Sequence, residues 1–228
     1  MGAKSKVLLA AVWIGAQALA LSGVHRDVAG TQYGAGGGAF IEVTARAKRF
    51  DLHFEGFPVI AIPQRPSAFY GQATPAIGIL DYAAGFALTP RWRLGLGQTV
   101  INQRTPLPNI YQVVTSRLSG PRYELGFRQP LRRNRFIEAL VAGSTDLSGS
   151  DVYVYSDGVT PTVIKKERAS SLDGTLTLGF VRAKSELLVG LRVINFSAKY
   201  TATNEAGDRN AGLGLVFEWR RRVSGNPP

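Results

Sequence analysis

The segment GLGLVFEWRRR, Gly212–Arg222, decides how the chain is read. Its large apolar side chains fall on every second residue, at Leu213, Leu215, Phe217 and Trp219, and three arginines follow without a break. Alternation of period two puts one kind of residue on each face of a β-strand. The arginines mark a charged boundary at which the apolar strand stops.

The same period recurs upstream. Phe50, Leu52 and Phe54 share a face within a segment near 37–57, and Leu80, Tyr82, Ala84, Phe86 and Leu88 share one near 76–88. Further segments carry Trp92, Leu94, Leu96 and Val100, then Tyr123, Leu125 and Phe127. A fifth starts near Phe136. The sixth carries Leu172, Leu176, Leu178 and Phe180, and the seventh Leu187, Val189, Leu191 and Val193. With the final stretch this predicts about eight strands. The first is either two strands broken at Ala45–Arg49, which would make nine, or one long strand with a bulge near 46–49, which is preferred because it keeps the count even. Connections near 89–90, 129–134 and 183–184 are short. Those near 58–75, 104–110, 148–168 and 204–209 are longer, the third as a hairpin turning at Asp157-Gly158. Short turns at one end and long loops at the other suit a membrane barrel.

The chain has 228 residues, 45% of them apolar, a formal charge of +11 and no cysteine. The apolar content excludes a disordered tail. The lack of cysteine excludes disulfides, thiolate catalysis and cysteine metal sites. The charge comes with no recognition helix or basic-aromatic motif, so nucleic acid is not an expected partner. At the N-terminus Lys4 and Lys6 precede an apolar run from Val7 to Ala20 that ends in the small-x-small triplet Ala18-Leu19-Ala20. That pattern predicts a cleaved signal peptide over 1–20. A flexible segment over 21–36, a barrel over 37–222 and a tail over 223–228 complete the expected division. No later run is long enough for a transmembrane helix, and the remaining way to span a bilayer is a closed antiparallel up-and-down β-barrel.

The face opposite the apolar stripes carries small residues, including Gly95, Gly97, Gly126, Gly179, Gly190, Gly212 and Gly214, with isolated charges among them. Glycine weakens a water-facing strand, whereas in a narrow lumen it leaves room for large charged neighbours. Buried charges need partners. Asp81, Arg93, Arg122, Glu124, Asp173, Arg192 and Glu218 are therefore expected to form an interior network. A second basic set gathers at the short-turn end: Arg91, Arg132, Arg133, Arg135, Arg182, Lys184, Arg220, Arg221 and Arg222. It is expected to form a lipid-facing collar against anionic head groups, below an aromatic girdle of Trp92, Phe127, Phe180 and Trp219.

Gly214, Phe217 and Trp219 form a G-x-x-Φ-x-Φ pattern that resembles the terminal β-signal of outer-membrane proteins. As a whole, residues 37–219 resemble a small eight-stranded barrel of the OmpA or OmpX kind. The resemblance implies a bacterial outer-membrane location, outer-membrane lipids as surroundings, and the barrel-assembly machinery as partner during insertion. The hairpin over 150–166 is a candidate surface for another protein.

Asp51, His53 and Glu55 are spaced to share one strand face. They are the candidate for general-base chemistry, as a lipid-modifying enzyme would need, or else members of the interior ladder. No metal site or cofactor is expected, since one histidine and two carboxylates on one strand splay apart and the glycine run 34–40 lacks a P-loop ending. The expected function is a filled outer-membrane barrel in a structural or surface-interaction role. The alternatives are a lipid-modifying enzyme using His53 and a soluble periplasmic barrel binding a small apolar ligand.

Overall fold

A computed structural model describes residues 11–27, 30–61, 76–107, 111–203 and 206–224. Among the described residues ten strands form one closed antiparallel barrel. They are β1 (Ala11–Asp27), β2 (Gly30–Ala47), β3 (Phe50–Ala61), β4 (Ala76–Ala87), β5 (Trp92–Leu107), β6 (Tyr111–Pro130), β7 (Arg135–Tyr155), β8 (Val163–Arg182), β9 (Ser185–Tyr200) and β10 (Ala206–Ser224). Each strand pairs with its neighbours in sequence, and β1 closes the ring on β10, with Ala18 opposite Phe217 and Ala16 opposite Trp219.

The count corrects the expected eight, and both added strands come from the N-terminal part. Residues 11–20, expected within a signal peptide, form most of β1, and much of the segment 21–36 lies in β1 and β2. The apolar run conceals an alternation: Ala11, Gly15, Gln17 and Leu19 turn inward, while Ile14, Ala16, Ala18 and Ala20 turn out. Small residues on both faces blur that pattern. The segment near 37–57 is two strands joined by a tight turn, with Ala47 opposite Phe50 and Lys48 at φ 54°. The expected bulge at 46–49 is this turn. Of the expected tail, Val223 and Ser224 still belong to β10, and 225–228 lie outside the described residues.

The short connections at Lys48–Arg49, 88–91, 131–134 and Ala183–Lys184 share one end with the start of β1 and the end of β10. Ala183 reaches φ 48°, and Arg133 and Asn134 also take positive φ. At the other end β7 and β8 run to 21 and 20 residues, about twice what a tilted strand needs to cross a bilayer. Their hairpin turns where Asp157 accepts hydrogen bonds from the Thr160 hydroxyl and from the backbone N–H groups of Val159 and Thr160. These bonds, the hydroxyl first, hold the Asp157 carboxyl below its ordinary value. The expected loop near 58–75 lies mostly outside the described residues.

The barrel is apolar outside. Leu52, Leu96, Tyr123, Leu176, Leu191, Leu213 and Phe217 are among its exposed side chains. Trp92 stacks tilted on Phe127 with ring centroids 4.7 Å apart, and Phe50 on Phe86 at 5.2 Å, both pairs near the short turns. Such an exterior is stable in hydrocarbon and not in water. It is the reverse of the soluble barrel held as an alternative.

Candidate functional site: the lumen

The candidate site is the inside of the barrel. Strand phase sends Asp81, Glu124, Arg122, Arg192 and Glu218 inward and leaves each almost fully buried. Arg93 also turns in, and its Nη groups lie 2.6 Å from both Asp51 and Glu124. Arg122 reaches Asp81 at 3.0 Å and Glu124 at 2.7 Å. Arg192 donates to Asp173 through two nitrogens and to Glu55 at 2.6 Å, with Gln17 at 3.4 Å. Glu218 pairs with Arg220, an arginine outside the expected network.

The pairing spans the lumen because the ring brings distant strands face to face. Arg192 on β9 and Glu55 on β3 are separated by β10, β1 and β2 in the ring, so their contact crosses the interior. Closer to the short turns, Arg220 on β10 reaches Glu138 on β7 at 2.7 Å and Glu42 on β2 at 3.2 Å. Arg128 on β6 reaches Glu186 on β9 at 2.6 Å and Glu138 at 3.1 Å, and its guanidinium lies 3.6 Å from the centre of the Phe136 ring. Charged pairs thus cross the lumen at several heights.

Glycines make space for these groups. A Cβ on Gly85 would come within 2.3 Å of the Arg93 guanidinium, and one on Gly179 within 2.1 Å of the Phe136 ring. Side chain and void are matched across the strand pair.

Asp51, His53 and Glu55 do share the inward face. His53 Nε2 lies 3.6 Å from Glu42 and Nδ1 3.7 Å from Glu124, with the side chain 10% exposed. Asp51 and Glu55 are already engaged by Arg93 and Arg192. The triad is therefore divided among ion pairs within the lumen, away from the lipid that a lipid-modifying enzyme must reach.

The collar is split by strand alternation. Arg91, Arg132, Arg133, Arg135, Arg182, Lys184 and Arg221 are exposed at the short-turn end. Arg220 departs from the expectation: it turns inward and binds three glutamates, because it alternates with the outward Trp219 and Arg221. Arg222 is half-buried, with its guanidinium 5.8 Å from the Trp13 ring centre. Of the terminal pattern, Gly214 faces in, while Phe217 and Trp219 face out.

One feature of the lumen departs from a wholly polar filling. Toward the long loops lies an apolar layer: Ile101, Leu118, Leu147, Ala169, Phe196 and Ala198, with Leu19 and Val216 alongside. Its signal is present in the sequence, since Ile77 and Ile79 are in phase with Asp81. Above it, near the loops, the Tyr153 and Tyr200 hydroxyls, 2.6 Å apart, both bond Asp151, which also accepts from Ser116. The Lys165 ammonium lies 5.0 and 5.1 Å from the two tyrosine ring centres.

No family model matches the chain, and the search of curated proteins finds no match. Among solved structures it is similar to the outer-membrane protease OmpT from Escherichia coli, with a TM-score of 0.60 and 13% identity over 93% of this chain and 97% of that one. It also aligns with Neisserial surface protein A at a TM-score of 0.44 and 9% identity, over 93% and 97% of the two chains. The β-domain of the Bordetella autotransporter BrkA aligns at 0.46 and 12%, over 91% and 98%. The ten-strand ring departs from the eight-stranded OmpA/OmpX pattern. At these identities the likeness is one of fold, and the fold is that of a bacterial outer-membrane β-barrel.

Proposed function

We propose that the chain is an outer-membrane protein with a closed, filled lumen, acting in a structural or surface-interaction role. The observation that carries this is the Arg192–Glu55 contact across the lumen, with Asp173 and Gln17 on the same guanidinium. A buried, ion-paired plug of this kind opposes an aqueous channel. The exterior supports the location: apolar side chains, aromatic pairs near the short turns, and exposed basic residues beyond them. Outer-membrane lipids are then its surroundings. The outward Phe217 and Trp219, with Gly214, are the pattern the assembly machinery would read. The β7–β8 hairpin, which extends well past the span a bilayer needs, is the proposed contact surface for another protein.

Planar-bilayer recording of the purified protein tests the closed lumen, alongside fractionation of expressing cells. The expected result is recovery with outer membranes and no steady conductance. A stable ohmic pore in the parent protein would overturn the filled-lumen proposal.

A further inference from the structure

The lumen holds a cavity of about 50 Å³ between the ion-pair network and the long-loop end. Its walls are apolar: Ile77 and Ile79 on β4, Ile101 on β5, and Ile194 and Phe196 on β9. Its floor is polar, formed by Asp81, Thr99 and Arg122 on the three adjacent strands β4, β5 and β6, and Asp173 of β8 also lines the cavity. On the loop side Asn210 of β10 donates to Gln103 of β5 at 3.3 Å. Those strands stand on opposite sides of the ring, so this amide pair bridges the cavity like a bar.

Three floor atoms are buried without a hydrogen-bond partner: Asp81 Oδ1, Thr99 Oγ1 and Arg122 Nη2. Their residues are no more than 2% exposed. A buried polar atom without a partner is costly, and native interiors seldom leave one. Here an acceptor, a hydroxyl and a donor all line one cavity that is large enough for more than one water. Arg122 is paired with Asp81 and Glu124, so the floor offers hydrogen bonds rather than a free charge.

We infer that this cavity is a binding site for a small neutral amphiphile, a molecule with one hydroxyl or amide head and a short apolar tail. The head satisfies Asp81, Thr99 and Arg122, and the tail lies among the isoleucines. An anionic head would meet Asp81, and a purely apolar molecule would leave the floor unsatisfied. Entry from the loop side requires breaking the Asn210–Gln103 bond. The site lies above the ion pairs that close the lumen, so it is blind and consistent with a barrel that does not conduct.

The inference is tested by NMR of the micelle-embedded full chain labelled at isoleucine δ1 methyls, titrated with 1-butanol and with 1-chlorobutane. Ile14 and Ile41 face outward and report partition into the micelle. The expected result is saturable shifts at Ile77, Ile79, Ile101 and Ile194 with 1-butanol, over a linear background at Ile14 and Ile41. Thr99→Val, which keeps shape and removes one hydrogen bond, should weaken 1-butanol roughly five- to tenfold and leave 1-chlorobutane weak. Ile79→Trp, which fills the cavity, should abolish saturation in protein whose circular dichroism is unchanged. Linear shifts shared by all isoleucines, or tighter binding of 1-chlorobutane than of 1-butanol, would overturn the proposal. A cavity holding water only would give the first of these results. Conductance of the parent bears separately on the filled-lumen proposal.

Discussion

Replacing Arg192 by Met keeps a long side chain and deletes the guanidinium that bridges β9 to β3. Arg192 is 2% exposed and serves Asp173 and Glu55 together. Its loss leaves both carboxylates inside with no comparable partner. Breaking a buried pair from one side costs roughly 3–5 kcal/mol, much of it the stranded charge. Because two acids are stranded, Arg192→Met should lose at least about 4 kcal/mol in denaturant unfolding from lipid vesicles. Adding Glu55→Gln and Asp173→Asn removes the stranded charges and should return most of that loss, since replacing the whole buried set is near neutral. Raising the salt should change neither result, because buried pairs are poorly screened. A loss below about 1 kcal/mol for Arg192→Met, the value of an exposed pair, would show that water reaches the guanidinium and that the lumen is not filled at this height.

Arg220 and Arg221 should behave differently although they are adjacent. Arg220→Gln should cost roughly 3 kcal/mol by freeing buried glutamates, and Arg221→Gln, on an exposed side chain, no more than about 0.5 kcal/mol; equal effects in the unfolding assay would refute the strand phase. Gly179→Val should destabilise the barrel by roughly 2–3 kcal/mol through collision with Phe136, and Phe136→Ala in the same chain should relieve that collision, read as non-additivity in a double-mutant cycle. Limited proteolysis of intact cells should cut within the hairpin over 150–166 and spare 129–134; the opposite pattern would mean inverted topology.

Much of the fold from β4 onward is legible in the sequence, because large outward side chains contrast with glycine and charge on the inward face. Leu213 to Trp219 and Leu187 to Val193 show this contrast in full. The N-terminal part is hard to read because alanine and glycine serve both faces there. In β1 the polar Gln17, which meets Arg192, is the clue that the apolar run from 11 to 20 is a strand. Between β2 and β3 the reversal rests on Lys48 at positive φ, a conformation its residue type does not announce. Alternation sets the inward phase of Arg93, Arg122 and Arg192, but it cannot supply their partners. Those depend on which strands the closed ring places opposite, as with Arg192 and Glu55, or Arg220 and Glu138. The collar is legible only as a composition at one end, and it divides once alternation is carried through Trp219, so that Arg220 turns in.

Cross-linking β1 to β10 tests the ten-strand barrel most directly. The chain has no cysteine of its own, so Ala18→Cys with Phe217→Cys is the only pair present. These positions are direct partners in the closing pair, where Cα separations of about 4.5–5.5 Å fall within the range a disulfide needs. In protein recovered from outer membranes the account predicts an intramolecular disulfide under mild oxidation, and none for Ala18→Cys with Leu213→Cys, since Leu213 is opposite Ser22. Absence of the first bond, or a membrane-inserted chain that no longer contains residue 18, would contradict it.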